Sequence, residues 1–322
     1  REGDFTGAER ETPEALVWVG PGEPPDADGL LARLRGAAWH GRANRLSAGH
    51  RDWPEIDAVS IATHWPAGEP LAARAPTSLP PLELVSREPV SRLIRHRRSA
   101  QAFDGVSGLA APAFFRMLDA LLPRAGQPPW SLLESVPQVH PVLFVHRVEG
   151  LDAGLYCLAR DPDQLGLLKA ELRRDWLWAP VPGCPPHLPL YLLAAQDLRD
   201  FAAAVSCQQD IASDSAFSLA MLAHFDDMAP NRPWHYRQRF WEAGMLGQAL
   251  YLEAEAAGVQ GTGIGCYFDD AVHRALGLEG TRLQDIYHFT VGTAVTDRRL
   301  ASEPPYAHLR DRLASAVSAG DG

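Results

Sequence analysis

Residues 142–157 read Val142-Leu-Phe-Val-His-Arg-Val-Glu149-Gly150-Leu-Asp-Ala-Gly154-Leu-Tyr-Cys157. Two short apolar runs flank a Glu-Gly pair suited to a turn, which is the pattern of a β-hairpin. Antiparallel pairing is therefore expected at the centre of the fold. Working outward, 188–195 reads as a further strand, apolar enough to be central, and 285–291 as a strand near the end of the chain. Helical patterns lie between and around them. Val90, Leu93, Ile94 and Arg97 recur at helical spacing, and Pro112 opens a helix with Phe114, Phe115, Leu118 and Leu122 on one side. A long helix is expected over 236–257, stopped by Gly258, and a short one capped by Asp269 and ending near Leu278. Residues 207–225 are apolar nearly all round and read as a buried helix. Residues 261–265, Gly-Thr-Gly-Ile-Gly, read as a loop. This mixture of hairpin-like strands with helices predicts an α+β fold rather than a repeating βαβ unit.

The chain has 322 residues, 22% charged and 46% hydrophobic, with a net charge of −10. That is ordinary globular composition, and it lacks the basic surface that neutralising nucleic-acid phosphates requires. Nucleic acid is excluded as an expected partner. No run approaches the roughly 18 apolar residues of a membrane span, and no basic-then-apolar leader opens the sequence. No membrane association and a cytoplasmic setting are expected. Cys157, Cys184, Cys207 and Cys266 form no Cys-x-x-Cys pair and read as reduced thiols. Lys169 is the only lysine. The expected organisation is a strand-like segment at 1–25, an arm or linker at 26–88, the main domain at 89–300 and a tail at 301–322.

Arg97-Arg98-Ser99 follows the first regular helix, and two guanidinium forks with a hydroxyl could grip a phosphate through charge-assisted bonds. On spacing alone, a solvated basic helix end is the commoner reading. The glycines of 261–265 could let backbone N–H groups approach a flat cofactor, or could mark a plain helix-to-strand turn. Gly20-Pro21-Gly22 fails as a dinucleotide fingerprint, because Pro24 and Pro25 forbid the helix that must come next. The single lysine lacks the glycines of a P-loop, and no Gly-x-Ser-x-Gly elbow occurs. His224, His235 and His273 show no metal-ligand spacing, so no metal is expected.

Several of these signals fall in the order of one family. Arg97-Arg98-Ser99-Ala-Gln-Ala-Phe103-Asp104 resembles the opening motif of the nitroreductase superfamily. Cys207-Gln-Gln-Asp-Ile-Ala with Phe217-Ser-Leu-Ala-Met221 is similar to the central segment of its SagB-type dehydrogenase branch. Tyr236-Arg237, Glu242-Ala243-Gly244, Gln248 and Leu250-Tyr251-Leu252 resemble that branch's long helix. Gly261 through Asp270 resembles its flavin-side loop, and Val291-Gly292 its terminal strand. The match covers about 89–300. It implies a mostly antiparallel sheet wrapped by helices, with FMN at a dimer or pseudo-dimer interface.

The resemblance maps the flavin phosphate and ribityl chain onto Arg97, Arg98 and Ser99. Gln101 stands where the family carries a basic residue, and Arg298 or Arg299 would complete the phosphate site. Gly263, Ile264, Gly265 and Cys266 would face the isoalloxazine ring, with Cys266 as packing. The Lys-Tyr pair of the branch's azoline oxidases cannot exist here, since Lys169 is the only lysine, which speaks against azoline oxidation. Tyr236 and His235 are the candidate proton-transfer groups.

The function implied by the resemblance is an FMN-dependent oxidoreductase acting on a small molecule or peptide-derived substrate, as a homodimer or tandem pseudo-dimer. The alternatives are a non-catalytic scaffold partner in a biosynthetic complex, or an NAD(P)H-dependent nitro or quinone reductase. Glu11-Thr-Pro-Glu-Ala-Leu-Val-Trp-Val-Gly20 resembles the same terminal strand, which would make residues 1–20 the end of a preceding copy. A coincidental apolar strand reads equally well.

Overall fold

The computed structural model describes residues 22, 26–38, 49, 51, 53–66, 78–83, 86–132, 136–225 and 232–309. The expected strand at 15–20 lies outside them. The chain divides into two units, Arg1–Ile61 and Ala62–Gly322. The described part of the first holds helix α1 (Ala27–Gly36) and most of α2 (Pro54–Ala62). In α1, the Asp26 side chain accepts from the Gly29 amide, satisfying one of the donors that every helix start exposes.

The second unit is built on a seven-stranded sheet. Its strands are β1 (Val139–Val145), β2 (Gly154–Leu158), β3 (Ala179–Pro180), β4 (Leu190–Ala195), β5 (Phe217–His224), β6 (Gln260–Ile264) and β7 (Leu283–Gly292). They lie in the order β3-β4-β2-β1-β5-β7-β6, every neighbouring pair antiparallel. The hairpin at 142–157 is β1 and β2, with Val145 opposite Gly154 and Gly150 at a positive φ of 77°. Only a glycine takes that conformation without strain.

Helices cover both faces. Helices α3 (Val90–His96), α4 (Ala111–Asp119), α5 (Leu165–Glu171), α6 (Arg199–Val205), α7 (Asp210–Ser213), α8 (His235–Ala256) and α9 (Asp269–Leu276) complete the unit. One core layer joins Leu143, Val145, Leu219, Met221 and Phe289 to Phe114 and Leu118 of α4 and Leu246 and Leu250 of α8. The other joins Val142, Phe144, Ala220 and Leu222 to Leu168, Val205, Val272 and Leu276. Alternate residues of β1 and β5 thus enter opposite layers. The architecture is the expected one: α+β, an antiparallel sheet wrapped by helices.

Four expectations change. Residues 207–225 are not one buried helix but a turn, α7 and strand β5, in which every residue from Phe217 to Ala223 is buried. A strand covered on both faces loses its two-residue alternation, so its apolar run looks like that of a buried helix. Residues 260–264 are edge strand β6 rather than a loop, because the glycines leave room for the side chains of β7. Strand β4 lies beside the two-residue edge strand β3 rather than centrally, and half of it is only partly buried. Asp269 is the first residue of α9, with Phe268 at the cap position.

Candidate functional site

Arg97 is the residue at which α3 ends, and its amide donates to the Leu93 carbonyl. The segment after it is laid along β6: the Ala100 amide donates to the Gly261 carbonyl at 3.2 Å, and the Thr262 hydroxyl donates to the Ala100 carbonyl at 2.8 Å. Further on, Phe103 bridges Ala294 and the Asp104 amide donates to Thr293. These backbone bonds bring the Arg-Arg-Ser motif, β6 and the end of β7 together.

Tyr251 of α8 is the junction. Its hydroxyl lies 2.7 Å from the Ser99 hydroxyl and accepts from the Gly263 amide at 2.9 Å, while the Arg97 guanidinium sits 4.6 Å from its ring centroid. A guanidinium over a phenol ring is held by the ring's quadrupole without using its N–H donors. Among the described residues, Arg97 makes no side-chain hydrogen bond or ion pair. A half-buried cation with five open donors beside a hydroxyl is a donor set that fits a phosphate or carboxylate.

The two arginines, equal in sequence, are unequal in structure. Arg98 donates to the carbonyls of Arg95, Arg97 and Glu303, so it closes the end of α3 and fastens the 303 segment. Gln101 and Arg298 are exposed, and Arg299 is paired with Asp297 two residues away.

At the other end of the predicted cofactor site, Gly263 and Gly261 lie under aromatic rings of β7. A Cβ on Gly263 would overlap the Tyr287 hydroxyl, and one on Gly261 would lie 2.7 Å from Cε1 of Phe289, a fully buried ring. Gly261→Ala is therefore expected to cost about 1–3 kcal/mol through overpacking, read as a lowered urea midpoint. An unchanged midpoint would mean that Phe289 moves aside freely. The Ile264 side chain points into the second core layer, and a Cβ on Gly265 would meet open space.

Cys266 overturns the reading of four reduced thiols. It is bonded to Cys207, 59 residues earlier in the chain, while Cys157 and Cys184 are free. Sequence spacing cannot reveal a pairing made by the approach of two distant segments.

Tyr236 and His235 do not join the Arg97 cluster. They open α8 and Tyr251 lies near its end, roughly 22 Å along the axis. Tyr236 packs against Phe225 and Phe240, and His235 against Trp234.

A second polar cluster gave no signal in the sequence. His288 of β7, buried, lies 2.6 Å from Asp285 through Nε2 and 3.3 Å from the Ser206 hydroxyl through Nδ1, with Tyr267 stacked on its ring at 4.6 Å. With Nε2–H donating to the carboxylate, Nδ1 is left to accept from Ser206. Burial pushes the Asp285 carboxyl above its usual range, opposed by the His288 bond. A lone histidine within a strand carries no distinguishing pattern, so only its three-dimensional neighbours mark it. Among the described residues, no group of three or more His, Cys, Asp and Glu is placed to hold a metal, and no helix is long and apolar enough to cross a membrane.

No protein-family model matches the chain, and no curated protein matches it. Solved structures do. A nitroreductase candidate from Anabaena variabilis is 22% identical over 64% of this chain, with a TM-score of 0.48, and the chain spans 38% of its length. The Escherichia coli microcin synthetase McbBCD complex with truncated pro-MccB17 bound is 15% identical over 76% of this chain and 95% of that one, at 0.44. The NADPH:FMN oxidoreductase of Vibrio harveyi complexed with NAD+ is 16% identical over 68% and 74%, at 0.39. The likeness is one of fold. Identities and scores this low carry no activity over.

Proposed function

We propose that the chain is an FMN-dependent oxidoreductase of the nitroreductase kind, acting on a small molecule or a peptide-derived substrate. The observation that carries this reading is the half-buried Arg97 guanidinium, oriented by Tyr251, beside Ser99 and without a hydrogen-bonding partner among the described residues. It stands at the head of the ordered motifs that resemble the SagB-type branch. Arg97 and Ser99 would hold the phosphate, with Arg298 a further cation for it. Arg98 would keep their backbone in place. When bound, FMN supplies the hydride chemistry.

This chain's own part is to bind and to orient. Tyr251 fixes Ser99 and the Gly263 amide together, so a group held at Arg97 would be positioned relative to the start of the 263–266 segment. Residues 89–300 would form the catalytic domain and 301–322 a tail. A second copy, or a preceding tandem copy that ends in residues 1–25 and is joined by the 26–88 arm, would complete the site. A cytoplasmic setting belongs to the same proposal.

The experiment is a titration of purified protein with FMN, followed by flavin fluorescence. Arg97→Ala is expected to weaken binding by roughly 10- to 100-fold, the equivalent of one charge-assisted hydrogen-bond set at about 1.5–3 kcal/mol. Arg98→Ala should change it far less. Equal affinity of wild type and Arg97→Ala would move the phosphate site elsewhere.

One observation favours a second reading, a non-catalytic scaffold partner in a biosynthetic complex. Neither Tyr236 nor His235 converges on Arg97, and the Gly263 amide is already engaged by Tyr251. A wild-type protein without FMN affinity would select that reading. Bound FMN reduced by NAD(P)H under anaerobic conditions would instead select a nitro or quinone reductase.

A further inference from the structure

The Cys207–Cys266 bridge joins the turn after α6 to the segment between β6 and α9. Three features set it apart from a buried structural disulfide. Cys266 is exposed. Cys207 and Gln208 are consecutive non-glycine residues at φ 56° and 60°, the left-handed region, which such residues hold only where their surroundings force them. The chain neighbours of the two cysteines, Ser206 and Tyr267, both grip His288, one by a hydrogen bond and the other by stacking.

We propose that Cys207–Cys266 is a redox latch, opened by thiol–disulfide exchange with a low-molecular-weight thiol, that sets how tightly the 266–268 segment holds the buried His288–Asp285 pair. The thiolate attacks Sγ of Cys266, the more exposed residue of the two, forming a mixed disulfide there. The S–S electron pair leaves on Sγ of Cys207, which takes a proton. A second thiolate attacks the sulfur of the bound thiol, forms the low-molecular-weight disulfide and releases Cys266, which is protonated in turn. Two thiols are oxidised and one protein disulfide is reduced.

Opening frees Cys207 and Gln208 to leave the left-handed region. Two bonds then tie the segments without covalent help: the Phe268 amide to the Val205 carbonyl at 2.8 Å, and Nε2 of Gln209 to the Cys266 carbonyl at 3.4 Å. Tyr267 lies between them in sequence, so its stack on His288 loosens with the latch. The latch stands independently of the flavin reading, since none of these contacts involves a cofactor.

The test uses the full chain in native buffer with graded ratios of reduced to oxidised glutathione. Thiol alkylation with mass spectrometry should find the bridge closed at the oxidising end and reversibly open at the reducing end, while Cys157, which is fully buried, stays unlabelled. A quenched intermediate should carry glutathione on Cys266 rather than Cys207. Hydrogen exchange of the Phe268 amide should quicken by about tenfold or more on opening, with the β1, β5 and β7 amides unchanged. The C207S/C266S double variant should show the fast exchange at every ratio. Four free thiols at the oxidising end, a bridge reduced only in denaturant, glutathione on Cys207, or equal Phe268 exchange in both states would each overturn the proposal.

Discussion

Glu242→Ala should cost about 3–5 kcal/mol of unfolding free energy. Glu242 projects from α8 to the start of β1, where its carboxylate accepts from the Gln138 amide at 3.0 Å and the Val139 amide at 3.3 Å and is paired with Arg160. Arg160 is 3% exposed. Its Nε donates to the Leu121 carbonyl at 2.8 Å, Nη1 donates to the Val139 carbonyl at 3.0 Å, and the guanidinium lies 4.7 Å from the Trp130 ring centroid. Burial works against the charged form of Arg160, and Glu242 is the first partner that offsets it.

Removing the carboxylate takes the hydrogen-bonded counter-charge from a buried cation, leaving Asp161 as its remaining charge partner, and takes the acceptor from two strand amides, and both penalties fall on the same site. Glu242→Gln keeps one acceptor oxygen for the amides and loses the charge, so it should fall between wild type and alanine. An Arg160→Met, Glu242→Ala double variant should recover part of the loss, because the buried cation is removed together with its partner. Urea unfolding followed by tryptophan fluorescence reads all three. A loss below about 1 kcal/mol for Glu242→Ala would mean that Arg160 is hydrated in place, contrary to its burial.

How much of this could be read from the sequence differs element by element, for physical reasons. The β1–β2 hairpin was legible because its turn needs a positive φ and Gly150 provides one. The long helix α8 was legible from its length and from Gly258 at its end, which sits at φ 77°. Strand β5 was not, because covering both faces erased the alternation that distinguishes strand from helix. Gly261 and Gly263 did announce a close approach, but the groups that approach are Phe289 and Tyr287. Arg97 and Arg98 could not be separated in sequence: a carbonyl at Glu303, some two hundred residues on, engages one and leaves the other open. Separation along the chain, 59 residues for Cys207–Cys266 and 82 for Ser206–His288, likewise hid the disulfide and the Ser206–His288–Asp285 cluster. Composition and local pattern supplied the class of fold and a candidate motif, whereas the division of labour within that motif is tertiary.

Acid should destabilise the second unit well above the range in which its carboxylates titrate, with the loss beginning near pH 6.5 and running down to about 4. His140 is fully buried in β1. Its Nε2 faces the Gln164 carbonyl oxygen at 3.2 Å, an orientation fixed because the Gln164 amide nitrogen donates to Pro137 at 2.6 Å. Burial first, and then the charge of Arg160, pull it down to about 4 against the help of Gln164. His146, whose Nε2 faces the Ala212 carbonyl at 3.1 Å, is held down to about 4 by burial and by Arg147. Both imidazoles are thus neutral in the folded chain at a pH where the unfolded chain has begun to protonate them.

The unfolded state binds more protons throughout this window, so stability rises with pH across it. The contribution is complete above about pH 6.5 and is lost as the pH falls through the folded values. A displacement of that size amounts to on the order of 3 kcal/mol for each histidine at the acid end. Asp285 acts with the opposite sign: burial raises its folded value, so it adds stability below the unfolded carboxylate range and removes it as pH rises, which works against the histidine loss. Unfolding free energies measured between pH 7.5 and 4.5 should fall by up to about 1.4 kcal/mol per pH unit for each histidine, and His140→Gln should lower the slope by one proton. A slope unchanged by that substitution would show that His140 takes up its proton inside the folded chain.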